Sequence, residues 1–208
     1  MNTHPARTVL LTGVSSGIGH ALANWYLAEK WRVYGISRRR PADLLENTSF
    51  RYSPLDLSVT EAIDLAMRDL LNDVTQLDLI VLNAAILGEF GDLAEFTLDE
   101  LENTMRVNVW ANKFLLDAVF GAGLRVRQVV GISSGASING NRGWGGYAIS
   151  KAALNMLMQL YAREQPETHF AAFAPGVVDT NMQEVLCTLE PDDRYPSLGV
   201  LRSKRGTD

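Results

Sequence analysis

Cysteine is nearly absent from this chain. Cys187 stands alone in 208 residues, so no internal disulfide can form and a reducing compartment, the cytoplasm by default, is expected. Long apolar runs are missing too. No stretch of 18 apolar residues marks a membrane helix, and residues 1–5 lack the apolar core of a secretory signal. Positive charge is in deficit. With a net charge of −5 and Arg38-Arg39-Arg40 as the sole basic run, neither nucleic acid nor an anionic membrane is an expected partner. His4, His20 and His169 are too scattered for metal-ligand spacing, so no metal site is expected. Repeats, low-complexity tracts and linkers are also lacking. A composition of 47% hydrophobic and 21% charged residues then fits one globular domain over residues 1–208.

What is present is an alternation of short apolar runs and longer helical patterns. Residues 8–11, 32–37, 50–55, 77–82, 126–132 and 168–174 read as strands, and 18–30, 98–119 and 147–163 as helices. A further helix is expected to run to about Asn72 from an N-cap at Ser58, with Glu61 at capping-box spacing. Residues 77–82 are largely apolar, as in strands buried on both faces. Such alternation predicts an α/β fold: a single Rossmann-fold domain, its doubly wound parallel sheet carrying helices on both faces. Beyond Gly176 the pattern fades, and residues 183–208 hold Pro191, Pro196 and polar runs without a final strand.

Thr12-Gly13-Val14-Ser15-Ser16-Gly17-Ile18-Gly19 falls between the first strand and the first helix, the context of a nucleotide-binding turn. Glycine lets the backbone turn tightly and approach a pyrophosphate, and the helix behind it offers unpaired N–H groups and a positive dipole end. A loop using glycine for turn geometry alone is the plainer alternative. Arg38 follows the second strand, nineteen residues after Gly19, and no carboxylate appears before Asp43. A carboxylate at this place accepts from the adenosine 2′-hydroxyl of NAD, whereas an arginine suits the 2′-phosphate of NADP. NADP(H) is therefore the expected cofactor, with NAD(H) the alternative if Arg38 is only a solvated loop residue.

Tyr147 and Lys151 are four apart and share one helix face. A nearby ammonium favours phenolate and is expected to lower the phenol from its ordinary pKa of ~10, making Tyr147 a general acid–base near neutral pH. Ser134 lies thirteen residues upstream. Hydride transfer to a carbonyl creates an alkoxide, which needs both a positioned donor and a proton source.

The glycine turn, Asn83-Ala84-Ala85, Asn108, Ser134, Tyr147…Lys151 and Pro175-Gly176…Thr180 together resemble the short-chain dehydrogenase/reductase family over residues 8 to about 182. Residues 179–183 and 195–202 resemble its sepiapterin- and benzil-reductase branch. The resemblance implies an NADP-dependent oxidoreductase acting on a small ketone, aldehyde or diketone. By it, Tyr147 passes a proton to the carbonyl oxygen, Ser134 bonds that oxygen, and Lys151 tunes Tyr147 and holds the nicotinamide ribose. Asn108 would hold a water that relays protons to Lys151. Gly13, Ser15, Ser16, Gly17, Ile18, Gly19 and Arg38 would bind the cofactor around the glycine turn, and Asp56 and Leu57 would meet its adenine. Asn83 would steady the fourth strand near the adenosine. Pro175, Gly176, Val178 and Thr180 complete the cofactor set, Thr180 through the nicotinamide carboxamide.

Two departures stand out. Leu82-Asn83-Ala84-Ala85 replaces the family's Asn-Asn-Ala-Gly, and the chain stops at Asp208, where family members continue to a seventh strand. A C-terminal part that is short or truncated would leave a sheet edge and apolar surface exposed. Two other functions therefore stay open: a weakly active or inactive NADP-binding protein, and an NAD-dependent alcohol dehydrogenase. Helices 98–119 and 147–163 carry small or apolar residues on more than one face, and helix pairing in the family implies a homodimer.

Overall fold

The computed structural model describes residues 6–203; His4 and the polar tail 204–208 lie outside the described residues. β1 (Thr8–Thr12) leads through the glycine turn into α1 (Gly17–Ala28), followed by β2 (Arg32–Ser37), β3 (Phe50–Pro54) and α2 (Ile63–Leu70). Then come β4 (Gln76–Leu77), β5 (Leu79–Leu82), α3 (Leu98–Met105), α4 (Ala111–Gly121), β6 (Arg125–Val126) and β7 (Gln128–Ile132). α5 (Gly145–Glu164), β8 (His169–Phe173), α6 (Asn181–Thr188) and α7 (Pro196–Ser203) follow. Six strands form a parallel sheet in the order β3-β2-β1-β5-β7-β8, so chain progression reverses between β1 and β5. At such a switch point the loops leaving neighbouring strands diverge and open a crevice beyond their C-terminal ends.

Alternate residues of β1 face opposite sides of the sheet, and both sides are apolar. Leu10 joins Ile80 and Val129 in a core closed by Ile63 and Met67 of α2, Leu115 and Leu116 of α4, and Leu154 and Met158 of α5. Val9 and Leu11 pack on the other side with Ala23 and Leu27 of α1. Burying each such leucine contributes roughly 1.5–3 kcal/mol, so this two-sided pattern makes the doubly wound α/β arrangement the stable one. β8 forms one edge of the described sheet, where Phe173 is 56% exposed.

Local interactions overrule several sequence expectations. Ser58 is not a helix cap: its hydroxyl donates to Asp56 Oδ1 at 2.8 Å and its N–H to the same oxygen at 2.9 Å. Asp two residues upstream captures the serine in a turn, and a 3₁₀ turn at Thr60–Ala62 then leads into α2. The strand expected over 77–82 breaks at Asp78, whose carboxylate accepts from the Thr8 N–H at 2.8 Å. Gln76–Leu77 pairs instead with Arg125–Val126 in a separate two-stranded ladder. The helical run from Leu98 is interrupted by a π turn at Arg106–Trp110, which carries Asn108. Beyond Gly176, where no pattern was legible, α6 and α7 form. Among the described residues no helix is long and apolar enough to cross a membrane, and no group of three or more His, Cys, Asp or Glu is placed to hold a metal.

Candidate active site

A cavity of about 1040 Å³ opens beyond the C-terminal ends of the strands, at the upper end of the ~300–1,000 Å³ common for small-molecule sites. The turn after β1 supplies Gly13, Ser15, Ser16, Gly17 and Ile18 to its wall, and Arg38 comes from the end of β2. Asp56 and Leu57 follow β3, Asn83 follows β5 and Ser134 follows β7. α5 contributes Tyr147 and Lys151, and the segment after β8 contributes Pro175, Gly176, Val178 and Thr180. Of the residues singled out from sequence, Gly19 and Asn108 alone stand behind this wall rather than on it.

The glycine turn is shaped by contacts that side chains would block. Gly13 and Gly17 have φ of +78° and +57°, in the left-handed region that glycine enters without strain. A Cβ on Gly13 would lie 2.7 Å from Asn83 Nδ2, and one on Gly19 would lie 2.3 Å from the Gly13 carbonyl oxygen. Gly19 thus supports the turn from beneath. Asn83 ties the exit of β5 to the same turn: its Nδ2 donates to the Thr12 carbonyl at 2.9 Å, and its N–H to Thr12 Oγ1 at 2.9 Å.

Ser16, at the N-cap of α1, makes no side-chain capping bond, and the first turn holds no acidic residue. The N–H groups and positive dipole end of α1 therefore remain open to an anion. Arg39 Nη2 donates to Ser16 Oγ at 3.2 Å, bringing a second guanidinium over the turn. Arg38 and Arg39 both line the cavity, which adjacency in a run of three arginines does not reveal. Asp56 is held below the usual carboxylate range, first by the Ser58 N–H and last by the charge of Arg38. Open donors, glycines without Cβ atoms and two arginines fit the phosphates of a dinucleotide.

Tyr147 and Lys151 sit on α5 as their spacing requires, but their electrostatics differ from expectation. Burial raises the Tyr147 pKa, against a smaller lowering by hydrogen bonding with Ser134. Burial also brings Lys151 down to about 8. Nζ donates to the Ile132 carbonyl at 2.7 Å and lies 5.6 Å from the centre of the Tyr147 ring, and burial is the larger influence on the phenol. Desolvation thus favours the neutral form of both groups.

Ser134 and its neighbour Ser133 have separate tasks. Ser133 donates to Asn155 Oδ1 at 2.6 Å and is a structural residue. Ser134 caps the short turn Gly135–Ser137, its Oγ accepting from the Ala136 N–H at 3.1 Å, and faces the phenol. Asn108 is fully engaged within the protein. Its Nδ2 donates to the Ile86 carbonyl and to Ser150 Oγ, both at 2.9 Å, while Oδ1 accepts from the Ile86 N–H at 2.8 Å. Ser150 Oγ donates in turn to the Tyr147 carbonyl at 2.7 Å. Asn108 therefore clamps the loop after β5 to the helix turn that carries Tyr147.

The far wall falls largely in the segments 179–183 and 195–202 that carry the resemblance to the reductase branch, although no periodic pattern marks its helices. It consists of Trp144, Gln183, Leu186, Pro196, Ser197 and Val200, so α6 and α7 cover this end of the cavity. Trp144 Nε1 donates to Ser197 Oγ at 2.9 Å, and Leu186, Tyr195 and Leu198 pack with Phe90 and Trp144 into a small core of their own. Two eight-residue helices give too few turns for a periodic apolar signal, and the contacts that fix them come from distant loops.

The short chain dehydrogenase family model matches residues 7–189. The benzil reductase ((S)-benzoin forming) of Bacillus cereus is 30% identical over 194 residues, covering 85% of this chain and 78% of the relative. The sepiapterin reductase of Rattus norvegicus is 33% identical over 199 residues, covering 85% and 76%. A short chain dehydrogenase from Shigella flexneri, solved with NADP, superposes with a TM-score of 0.79 at 26% identity, over 89% of this chain and 83% of that one.

Proposed function

The chain belongs to the short chain dehydrogenase family, and from that premise we propose that it is an NADP-dependent carbonyl reductase acting on a small ketone, aldehyde or diketone. One observation carries this reading: Ser134, Tyr147 and Lys151 converge on the cavity that also holds the open N-terminus of α1 and Arg38. The names of its benzil and sepiapterin reductase relatives support carbonyl reduction, and the NADP in the Shigella flexneri structure supports the cofactor.

Gly13, Ser15, Ser16, Gly17 and Ile18, propped by Gly19, would hold the pyrophosphate, with Arg38 and Arg39 at the 2′-phosphate. Asp56 and Leu57 would meet the adenine. Asn83, Lys151, Pro175, Gly176, Val178 and Thr180 would line the path to the nicotinamide. When bound, the cofactor supplies the hydride that reaches the carbonyl carbon. Ser134 donates a hydrogen bond to the carbonyl oxygen and fixes it beside Tyr147. The raised pKa of Tyr147 keeps the phenol protonated at neutral pH, ready to pass its proton to that oxygen as negative charge develops there. Lys151, held at about 8, titrates close to neutral pH and so can exchange protons where Tyr147 must be recharged. Asn108 acts through position, locking the α5 turn that carries Tyr147.

Trp110 and Phe114 in the helical run through α4, and Ile149, Met156 and Leu160 on α5, are each 40–53% exposed. We assign these apolar faces to a homodimer, to be checked by the molecular mass in solution. With one cysteine and no internal disulfide, a reducing cytoplasm suits the chain.

The decisive experiment follows NADPH oxidation by the purified protein with benzil, sepiapterin and small aldehydes. Turnover with NADPH, at least about tenfold faster than with NADH, is expected. Tight NADPH binding without turnover of any of these would make the protein a nucleotide-binding protein instead. Preference for NADH would remove Arg38 from cofactor selection and favour an NAD-dependent alcohol dehydrogenase.

A further inference from the structure

Gln183 presents an anomaly on the substrate side of the cavity. It lies on the cavity wall and is 5% exposed, and neither Oε1 nor Nε2 has a hydrogen-bond partner among the described residues. Leaving a buried donor or acceptor unpaired costs on the order of 1–3 kcal/mol, so such groups are rare and call for an explanation. A local partner was available. Thr180, Asn181, Met182 and Gln183 have the spacing of a capping box, in which the glutamine reaches back to the N-cap N–H and the threonine hydroxyl accepts from the glutamine N–H. The structure forms neither bond: Thr180 is the N-cap of α6 and makes no side-chain capping contact. Both side chains forgo the helix end.

The neighbours of Gln183 narrow what it can meet. Met182 and Leu186 of the same helix and Pro196, Val200 and Leu201 of α7 make the wall formed by these two helices apolar, and its other polar residues, Asn181 and Ser197, are neutral. The charged side chains on the wall are Arg38, Arg39, Asp56 and Lys151, which belong to the cofactor end and the catalytic centre. A carboxylate or ammonium on the substrate would therefore enter without a counter-charge, which is costly in an apolar site. A neutral oxygen acceptor matches an amide N–H without that penalty.

We propose that Gln183 determines substrate specificity, turning its amide to donate a hydrogen bond to a second, non-reacting carbonyl oxygen of a neutral vicinal diketone. The reacting carbonyl sits at Ser134 and Tyr147, the apolar body of the substrate packs on Trp144 and Leu186, and the neighbouring carbonyl accepts from Gln183 Nε2, giving the donor half of the amide a partner. This rests on the carbonyl-reductase reading above and adds the substrate class to it. A polar site left unpaired by an analogue discriminates more strongly than an apolar pocket does, because the protein group then remains desolvated without a partner.

The test compares benzil with deoxybenzoin, in which CH₂ replaces the second carbonyl, using NADPH and the intact chain. Gln183→Leu and Gln183→Met are measured against wild type. The ratio of kcat/KM for benzil to that for deoxybenzoin is expected to fall about 10- to 100-fold in both variants; taking the ratio cancels the difference in intrinsic reactivity of the two ketones. NADPH Kd should stay within about twofold, and Tm should hold or rise, since each variant removes an unpartnered buried amide. An unchanged ratio overturns the proposal. So does a common loss on both ketones with a lower Tm, which would make Gln183 a structural residue, and so does weakened NADPH binding, which would assign its amide to the cofactor. Wild-type protein that reduces neither ketone but does reduce sepiapterin or an aldehyde overturns the diketone assignment, whereas no turnover of any carbonyl refutes the carbonyl-reductase reading itself.

Discussion

At the cofactor end of the cavity the wall is largely backbone; at the substrate end it is largely side chain. Gly13 and Gly19 set the first by leaving no room for Cβ atoms and Gly17 by its left-handed φ, and Asn83 and Thr12 brace it with short bonds between adjacent strands. Gln183, Leu186 and Pro196 make the second, on two short helices that pack with Trp144, at the start of α5, in a small core of their own. Backbone geometry admits few substitutions and suits a ligand common to many enzymes. A side-chain wall on a separate helix pair can be exchanged residue by residue while the sheet stays intact, which is how one fold serves different substrates.

The strongest test falls at the junction of the two ends. Tyr147→Phe removes the proton donor without altering the cofactor wall, so kcat should fall about 10²–10⁴-fold while NADPH Kd stays nearly constant. Retained activity would take Tyr147 out of the chemistry. Next is Gly19→Ala, where the added methyl would meet the Gly13 carbonyl oxygen at 2.3 Å. Overpacking of this kind costs about 1–3 kcal/mol, so Tm should drop by roughly 3–10 °C and NADPH should bind more weakly. An alanine variant with wild-type Tm and Kd would show that the cofactor end is no more rigid than the substrate end.

Lys151 offers a pH-dependent test. Burial holds its folded pKa at about 8, below the ~10.4 of an unfolded lysine, so between these values the unfolded chain binds more protons. Stability then rises with pH across that window, and the burial penalty is at full strength below pH 8. The Tm difference between Lys151→Met and wild type, both without cofactor, should favour the methionine variant most below pH 8 and shift toward wild type near pH 10. A difference independent of pH would mean that the ammonium is not destabilised by burial. The smallest effect belongs to the substrate end. Gly199 of α7 has no atom within 4 Å of where a Cβ would be, so Gly199→Ala should stabilise by roughly 0.5–1 kcal/mol, read as a modest rise in Tm.

The difference between the two ends also marks how far the sequence could be read. The strands and helices around the glycine turn announce themselves by apolar runs of fixed length, and the turn by its glycines. Ser58 and Asp78 misled for a local reason: the Asp56 carboxylate captures both the hydroxyl and the N–H of Ser58, and the Asp78 carboxylate accepts from the facing Thr8 N–H instead of letting the strand continue. Arg39 was passed over because a run of three arginines carries no directional information. The thirteen-residue interval to Tyr147 singles out Ser134 over Ser133, and the bond that Ser133 gives to Asn155 supplies the physical reason.

By itself, the sequence determined the α/β alternation, the position of the glycine turn and the helix face shared by Tyr147 and Lys151. Each of these is set by spacing along a few residues, through the periods of strand and helix and the conformational freedom of glycine. Only the tertiary structure decided that Lys151 donates to Ile132, that burial raises the Tyr147 pKa, that Asn108 clamps α5, and that Gln183 is buried beside the cavity without a partner among the described residues. Burial, desolvation and hydrogen-bond pairing depend on which groups meet through the folded chain, and no local spacing encodes those meetings.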